Sequence, residues 1–186
     1  MPIRLSRYFN VEPTELKKRG VLNAHLGIDN RLFVDPNLLS KSRVEEFDHC
    51  REDLTKYFCA VIKLLSKSKK TGDVAWQEAE RRLRFHEEHG AALGYSHAGG
   101  YGRAVGPDLA SELATRAKEI INLGIDDPEM FELIGLFQEN FGPDLLSDMA
   151  VAILKNRFLA YTQRITRSCC ITQDKPLKCL WLSLVK

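Results

Sequence analysis

The tetrapeptide Gly-Pro-Asp-Leu occurs twice, at a 36-residue spacing, and constrains the fold more than any other feature of the chain. Gly106-Pro107-Asp108-Leu109-Ala110-Ser111-Glu112-Leu113-Ala114 is echoed by Gly142-Pro143-Asp144-Leu145-Leu146-Ser147-Asp148-Met149-Ala150. Proline at the first helical position lacks only an N–H that would be unpaired there anyway, and an aspartate in the first turn complements the helix dipole. Both copies therefore predict helix starts, one running from Pro107 to Leu123 and the other from Pro143 to about Thr166. Two copies are too few for a solenoid.

Apolar residues at three- and four-residue steps extend the helical reading. Val44, Phe47, Leu54, Phe58, Val61 and Leu65 predict a helix over 42–66, with Ser42 as its N-cap and Glu45 as capping-box partner. A second starts near Asp73 with Trp76, Ala79, Leu83 and His86 on one stripe, and a short one starts at Asp127-Pro128-Glu129. Pro13 to Arg19 forms a brief helix before Gly20. Between them, Ala24 to Ile28 and Arg31 to Val34 flank Asp29-Asn30 and predict a small β-hairpin, ended by Asp35-Pro36. The expected class is mainly α: about five helices around one core, with a small hairpin near the N-terminus.

Two segments break the helical pattern. Residues 89–106 hold six of the twelve glycines and read as a long loop. From Arg167 the stripe ends, and three of the five cysteines and one of the two tryptophans crowd into the last twenty residues. The expected organisation is one mostly helical domain over 1–166 and an atypical tail over 167–186, either foreign to the fold through a frameshift or insertion junction, or a C-terminal strand, Leu180 to Val185, closing on the hairpin.

Composition narrows the setting. With 44% hydrophobic and 28% charged residues among 186, the chain resembles ordinary globular proteins. No apolar run approaches the ~20 residues that span a bilayer, and Met1-Pro2-Ile3-Arg4 lacks a secretory apolar core, so no membrane and a cytoplasmic location are expected. The net charge is +2; the tail carries Arg167, Lys175, Lys178 and Lys186 against Asp174, which leaves the body nearly neutral. Five cysteines without a CxxC pair argue against a disulfide framework.

Three groups of residues are candidates for chemistry. Asp144 and Asp148 lie one helical turn apart, and with Asp35 or Asp29 they would give a divalent cation such as Mg²⁺ an oxygen-ligand set for phosphodiester hydrolysis. Gly99, Gly100, Gly102 and Arg103 precede a helix start and are candidate ligand-binding residues, although they match neither the P-loop nor the dinucleotide fingerprint. Lys69, Lys70, Arg81, Arg82 and Arg84, with Lys67, form the candidate nucleic-acid contact. His86 and His89 are spaced one residue short of the HExxH pattern, so no zinc site is expected.

Leu32-Phe33-Val34-Asp35-Pro36, Leu93-Gly94-Tyr95-Ser96, Leu123-Gly124-Ile125-Asp126-Asp127-Pro128-Glu129 and Phe141-Gly142-Pro143-Asp144-Leu145-Leu146-Ser147-Asp148-Met149 also belong to a pattern. Together they resemble the N-terminal part of a longer family of bacterial proteins that look like mobile-element or phage-defence cargo. The resemblance covers about residues 1–166 and supplies no catalytic residues. It implies a truncated fragment that acts as a non-catalytic recognition or scaffold module. Its partner would be another protein or the missing C-terminal region.

Overall fold

The computed structural model describes residues 3–28, 30–86, 93, 105–137 and 142–169, the side chains of 134–137 apart. The elements run in order β1 (Ile3–Arg4), α1 (Leu5–Phe9), α2 (Pro13–Lys18), β2 (His25–Leu26), α3 (Pro36–Ser40), a 3₁₀ turn (Glu45–Phe47), α4 (Cys50–Lys67), α5 (Val74–Leu83), α6 (Pro107–Asn122), α7 (Met130–Phe137), α8 (Pro143–Ile153) and α9 (Lys155–Ser168). The fold is mainly α with one small antiparallel sheet, as the apolar spacing predicts. Both Gly-Pro-Asp-Leu copies start helices, with Gly106 and Gly142 as N-caps and the prolines in the first turn.

The sheet pairs differently from the expected hairpin. β2 joins β1, with Ile3 opposite Leu26 and Arg4 opposite His25, rather than residues 31–34. The reason lies in Asn30. Its side-chain oxygen accepts from the His25 N–H at 2.9 Å, and its amide donates to the His25 carbonyl at 3.1 Å. Those bonds occupy the backbone groups that a returning strand would need. Val34 turns away instead, donating its N–H to Ser147 Oγ at 2.8 Å.

Two predicted helix bounds also shift. The helix expected over 42–66 begins at Cys50, after His49 takes a left-handed φ of 56°, so Ser42 caps nothing. Val44 and Phe47 kept the spacing because a 3₁₀ turn repeats every three residues. An unexpected short helix, α3, starts at Pro36, and Asp35 caps it. The last helix is interrupted at Leu154, which ends α8 and opens α9. Its apolar stripe survives the break because Leu154 is itself buried.

Among the described residues, buried side chains form two clusters rather than one. In the first, α4, α5, α6 and α7 enclose Phe58, Val61, Trp76, Leu83, Leu113 and Phe131, with Phe58 and Phe131 stacked at 4.7 Å. In the second, Leu5, Leu16, Leu39 and Phe47 from the N-terminal segments meet Phe158 and Tyr161 of α9. Helices α4 and α8 join the clusters: each gives one end to the first and the other end to the second.

Helix ends are closed by charge. Asp73 accepts from the N–H groups of Trp76 and Lys69, both at 2.8 Å, and of Lys70 at 3.3 Å. The bond from Trp76 contributes most to holding its carboxyl down at about 2. Glu15 and Glu78 are held near the same value by Lys18 and Arg81 first, then by Arg19 and Arg82. A carboxyl depressed in the folded state stabilises it above the unfolded pKa and loses that contribution as pH falls through the folded one. Denaturation midpoints should therefore be insensitive to these three groups near neutral pH and should fall between about 4.5 and about 2. Urea titration across that window checks this. Asp73→Asn, which keeps a cap acceptor, should flatten the slope; an unchanged slope would contradict the assignment.

Candidate functional site

The three described aspartates picked out from sequence do not form an open ligand set. Asp35 is committed to backbone: its Oδ1 accepts from the N–H groups of Asn37 at 2.8 Å and Leu38 at 3.3 Å. Asp144 and Asp148 are half-buried at the start of α8, and both have interaction partners. Among the described residues, no group of three or more His, Cys, Asp or Glu side chains is placed to hold a metal ion.

The basic residues divide into two groups. Lys69 and Lys70 precede α5, whereas Arg81 and Arg82 are in its last turn and Arg84 follows it. Seven helical residues, 74–80, lie between the two groups, a rise of about 11 Å along α5. Arg81 grips Glu78 through Nε at 2.7 Å and Nη2 at 2.8 Å, and Arg82 Nε reaches the same carboxylate at 2.9 Å. These arginines are thus partly neutralised before any phosphate arrives. Asp29, Gly99, Gly100, Gly102 and Arg103 lie outside the described residues, as does the tail from 170 onward.

Cys50 is buried, and burial pushes its thiol up, so it behaves as a small apolar side chain rather than a nucleophile. Tyr57, in the first cluster, has its hydroxyl satisfied by donation to the Arg82 carbonyl at 2.6 Å. Tyr161 is different.

Tyr161 lines a cavity of about 230 Å³ between α9, the turn after α2 and the segment from Phe33 to Val44. The residue is 1% exposed, and its hydroxyl has no hydrogen-bond partner among the described residues. Burial pushes that hydroxyl up to about 12. Ser42 lines the same cavity, and its Oγ is likewise buried and unpartnered. Phe33, Val34, Leu39 and Val44 supply apolar wall, and Leu38, 68% exposed, stands among the lining residues. Arg19, Arg43 and Asp35 complete the charged part of the lining.

The two arginines are not equivalent. Arg19 is bound to Glu15 through both its carboxylate and its carbonyl, and reaches the Ser168 carbonyl at 3.3 Å. Arg43 is exposed and makes no ion pair among the described residues. Sequence reading missed this site because its members carry other signals. Tyr161 is on a core stripe, Ser42 reads as an N-cap, and Arg19 reads as a helix end. The available clue was a tyrosine in a core stripe, since its hydroxyl needs a partner that leucine or phenylalanine would not.

Residues 10–181 match the model of a family described as "Domain of unknown function (DUF8370)". The match spans most of the chain, which therefore belongs to that family. No curated protein and no solved structure matches the chain. No described helix is long and apolar enough to cross a membrane.

Proposed function

We propose that this member of the DUF8370 family is a non-catalytic recognition module that binds a small ligand in the cavity beside Tyr161. One observation carries the reading: two hydroxyls, those of Ser42 and Tyr161, are buried without partners among the described residues, in side chains that line one space. An unmade hydrogen bond at a buried group costs about 1–3 kcal/mol. A ligand toward which both side chains turn recovers that cost, which makes the pair a binding device.

The chemistry of the lining favours recognition over reaction. A phenol pushed up to about 12 is a poor proton donor at neutral pH, where an acid–base catalyst needs a pKa near the working pH. The Asp35 carboxylate already serves as a helix cap. The mobile-element or phage-defence setting enters this reading only through the family resemblance. A protein partner, or a further region of a longer protein, would receive the recognition event.

Ligand-observed NMR with a small-fragment set, alongside a Mn²⁺ titration, tests the proposal. Ser42→Leu places apolar bulk in the cavity, so fragments that bind the native chain should lose binding to this variant. Mn²⁺ should leave the melting temperature unchanged. Fragments binding both proteins equally would defeat the site. A Mn²⁺ stabilisation abolished by Asp144→Asn would shift the reading to a metal-dependent hydrolase.

A further inference from the structure

Resting on that reading, we infer that the ligand is a small organic monocarboxylate with an apolar middle and a second polar group, its carboxylate taken by Arg43. The chemistry follows from how the lining is divided. Arg43 brings a guanidinium without a counter-ion among the described residues. A guanidinium offers a planar fork of donors that fits an oxyanion.

The sign and size of the charge follow from the neighbours. Arg19 already shares its charge with Glu15, so one unspent cation is left on the lining. The Asp35 carboxylate is on the same lining. A dianionic phosphate would meet one free cation and one like charge; a monocarboxylate needs only the one cation.

The middle of the ligand follows from the walls. Phe33, Leu39 and Val44 are apolar, and the exposed Leu38 side chain would be covered by an apolar ligand body. The far end follows from the hydroxyls. Ser42 Oγ and Tyr161 OH can each donate or accept; both oxygens are shut off in the empty cavity, so a ligand hydroxyl or carbonyl satisfies them once their side chains turn toward the space. At about 230 Å³ the cavity is below the ~300–1,000 Å³ of drug-sized sites, which excludes a nucleotide or a peptide of several residues.

The experiment is calorimetric titration of the full chain, near neutral pH, with 4-hydroxybenzoate, 4-hydroxyphenylacetate and 6-hydroxyhexanoate, each beside its neutral amide. At least one carboxylate should bind, with its amide about tenfold weaker, the scale of one charge-assisted hydrogen bond. Arg43→Met, at an exposed position, should erase that difference. Tyr161→Phe should weaken the carboxylate about tenfold and also raise the melting temperature of the unliganded protein, because it removes an unsatisfied hydroxyl. Amides binding as tightly as acids would overturn the carboxylate inference and leave the recognition site standing. If no carboxylate binds at millimolar concentration, the inference fails as well, and the fragment result with Ser42→Leu then decides the site separately. If Tyr161→Phe lowers the melting temperature, the hydroxyl is not an orphan and both readings fall.

Discussion

Phe47→Ala should lower the unfolding free energy by about 3–5 kcal/mol, the usual cost of removing a large ring from a packed interior. Phe47 is 1% exposed and is delivered by the 3₁₀ turn Glu45–Phe47. Its ring meets the edge of Phe158 at 4.8 Å and tilts against Tyr161 at 6.1 Å. Both partners belong to α9, so this one side chain fastens the segment before α4 to the last described helix. A three-residue turn has little stability of its own, so its docking depends on this side chain. The effect should also reach the ligand cavity, because Tyr161 forms part of its wall. Urea denaturation reads the loss directly. A change under about 1 kcal/mol would mean that the turn is not docked on α9 in solution.

Arg157→Ala should cost about 2–3 kcal/mol through polar rather than apolar loss. Arg157 Nε donates to Asp53 Oδ2 at 2.6 Å, and Nη1 donates to the carbonyls of Glu46 at 2.8 Å and Asp48 at 2.7 Å. One guanidinium in the first turn of α9 therefore holds both the turn before α4 and the first turn of α4 itself. Truncation leaves three acceptors without this donor. The cost stays below that of a fully buried pair because Asp53 is 40% exposed and water can replace part of the bond. Arg157→Lys should recover less than half, since an ammonium cannot reach three acceptors in the planar geometry of the fork. Full recovery by lysine would show that charge alone matters. A double-mutant cycle with Asp53→Ala separates the ion pair from the two carbonyl bonds.

Both effects fall at the seam between the N-terminal forty-nine residues and α9, which is also where sequence reading was weakest. Phe47 and Val44 have helix-compatible spacing, so periodicity merged them into α4; the left-handed His49 that separates them has no sequence signature of its own. Asn30 looks like a turn residue, and nothing local reveals that its amide will imitate a strand edge for His25. The candidate site shares this difficulty. Its hydroxyls and its guanidinium, without a counter-ion among the described residues, come from positions 42, 43 and 161, and only the docking of α9 against the N-terminal segments puts them around one space. Asp35 was legible as a residue of interest but not in its role, because an Asp-Pro pair serves equally as a turn or as a helix cap with proline following.

The two Gly-Pro-Asp-Leu copies mark the boundary between what is local and what is not. Their helix starts, the Asp73 cap and the left-handed stop at Gly124 follow from proline's missing N–H, short-range capping bonds and the lack of a Cβ, all of which act within a few residues. Those features were readable in order along the chain. Ser111 and Ser147 hold the same place in the two copies, yet Ser147 is buried and accepts the Val34 N–H from 113 residues away, while Ser111 is only half-buried on an open face of α6. Which face of a helix is covered, and by what, depends on contacts between distant segments, and only the tertiary structure decided it.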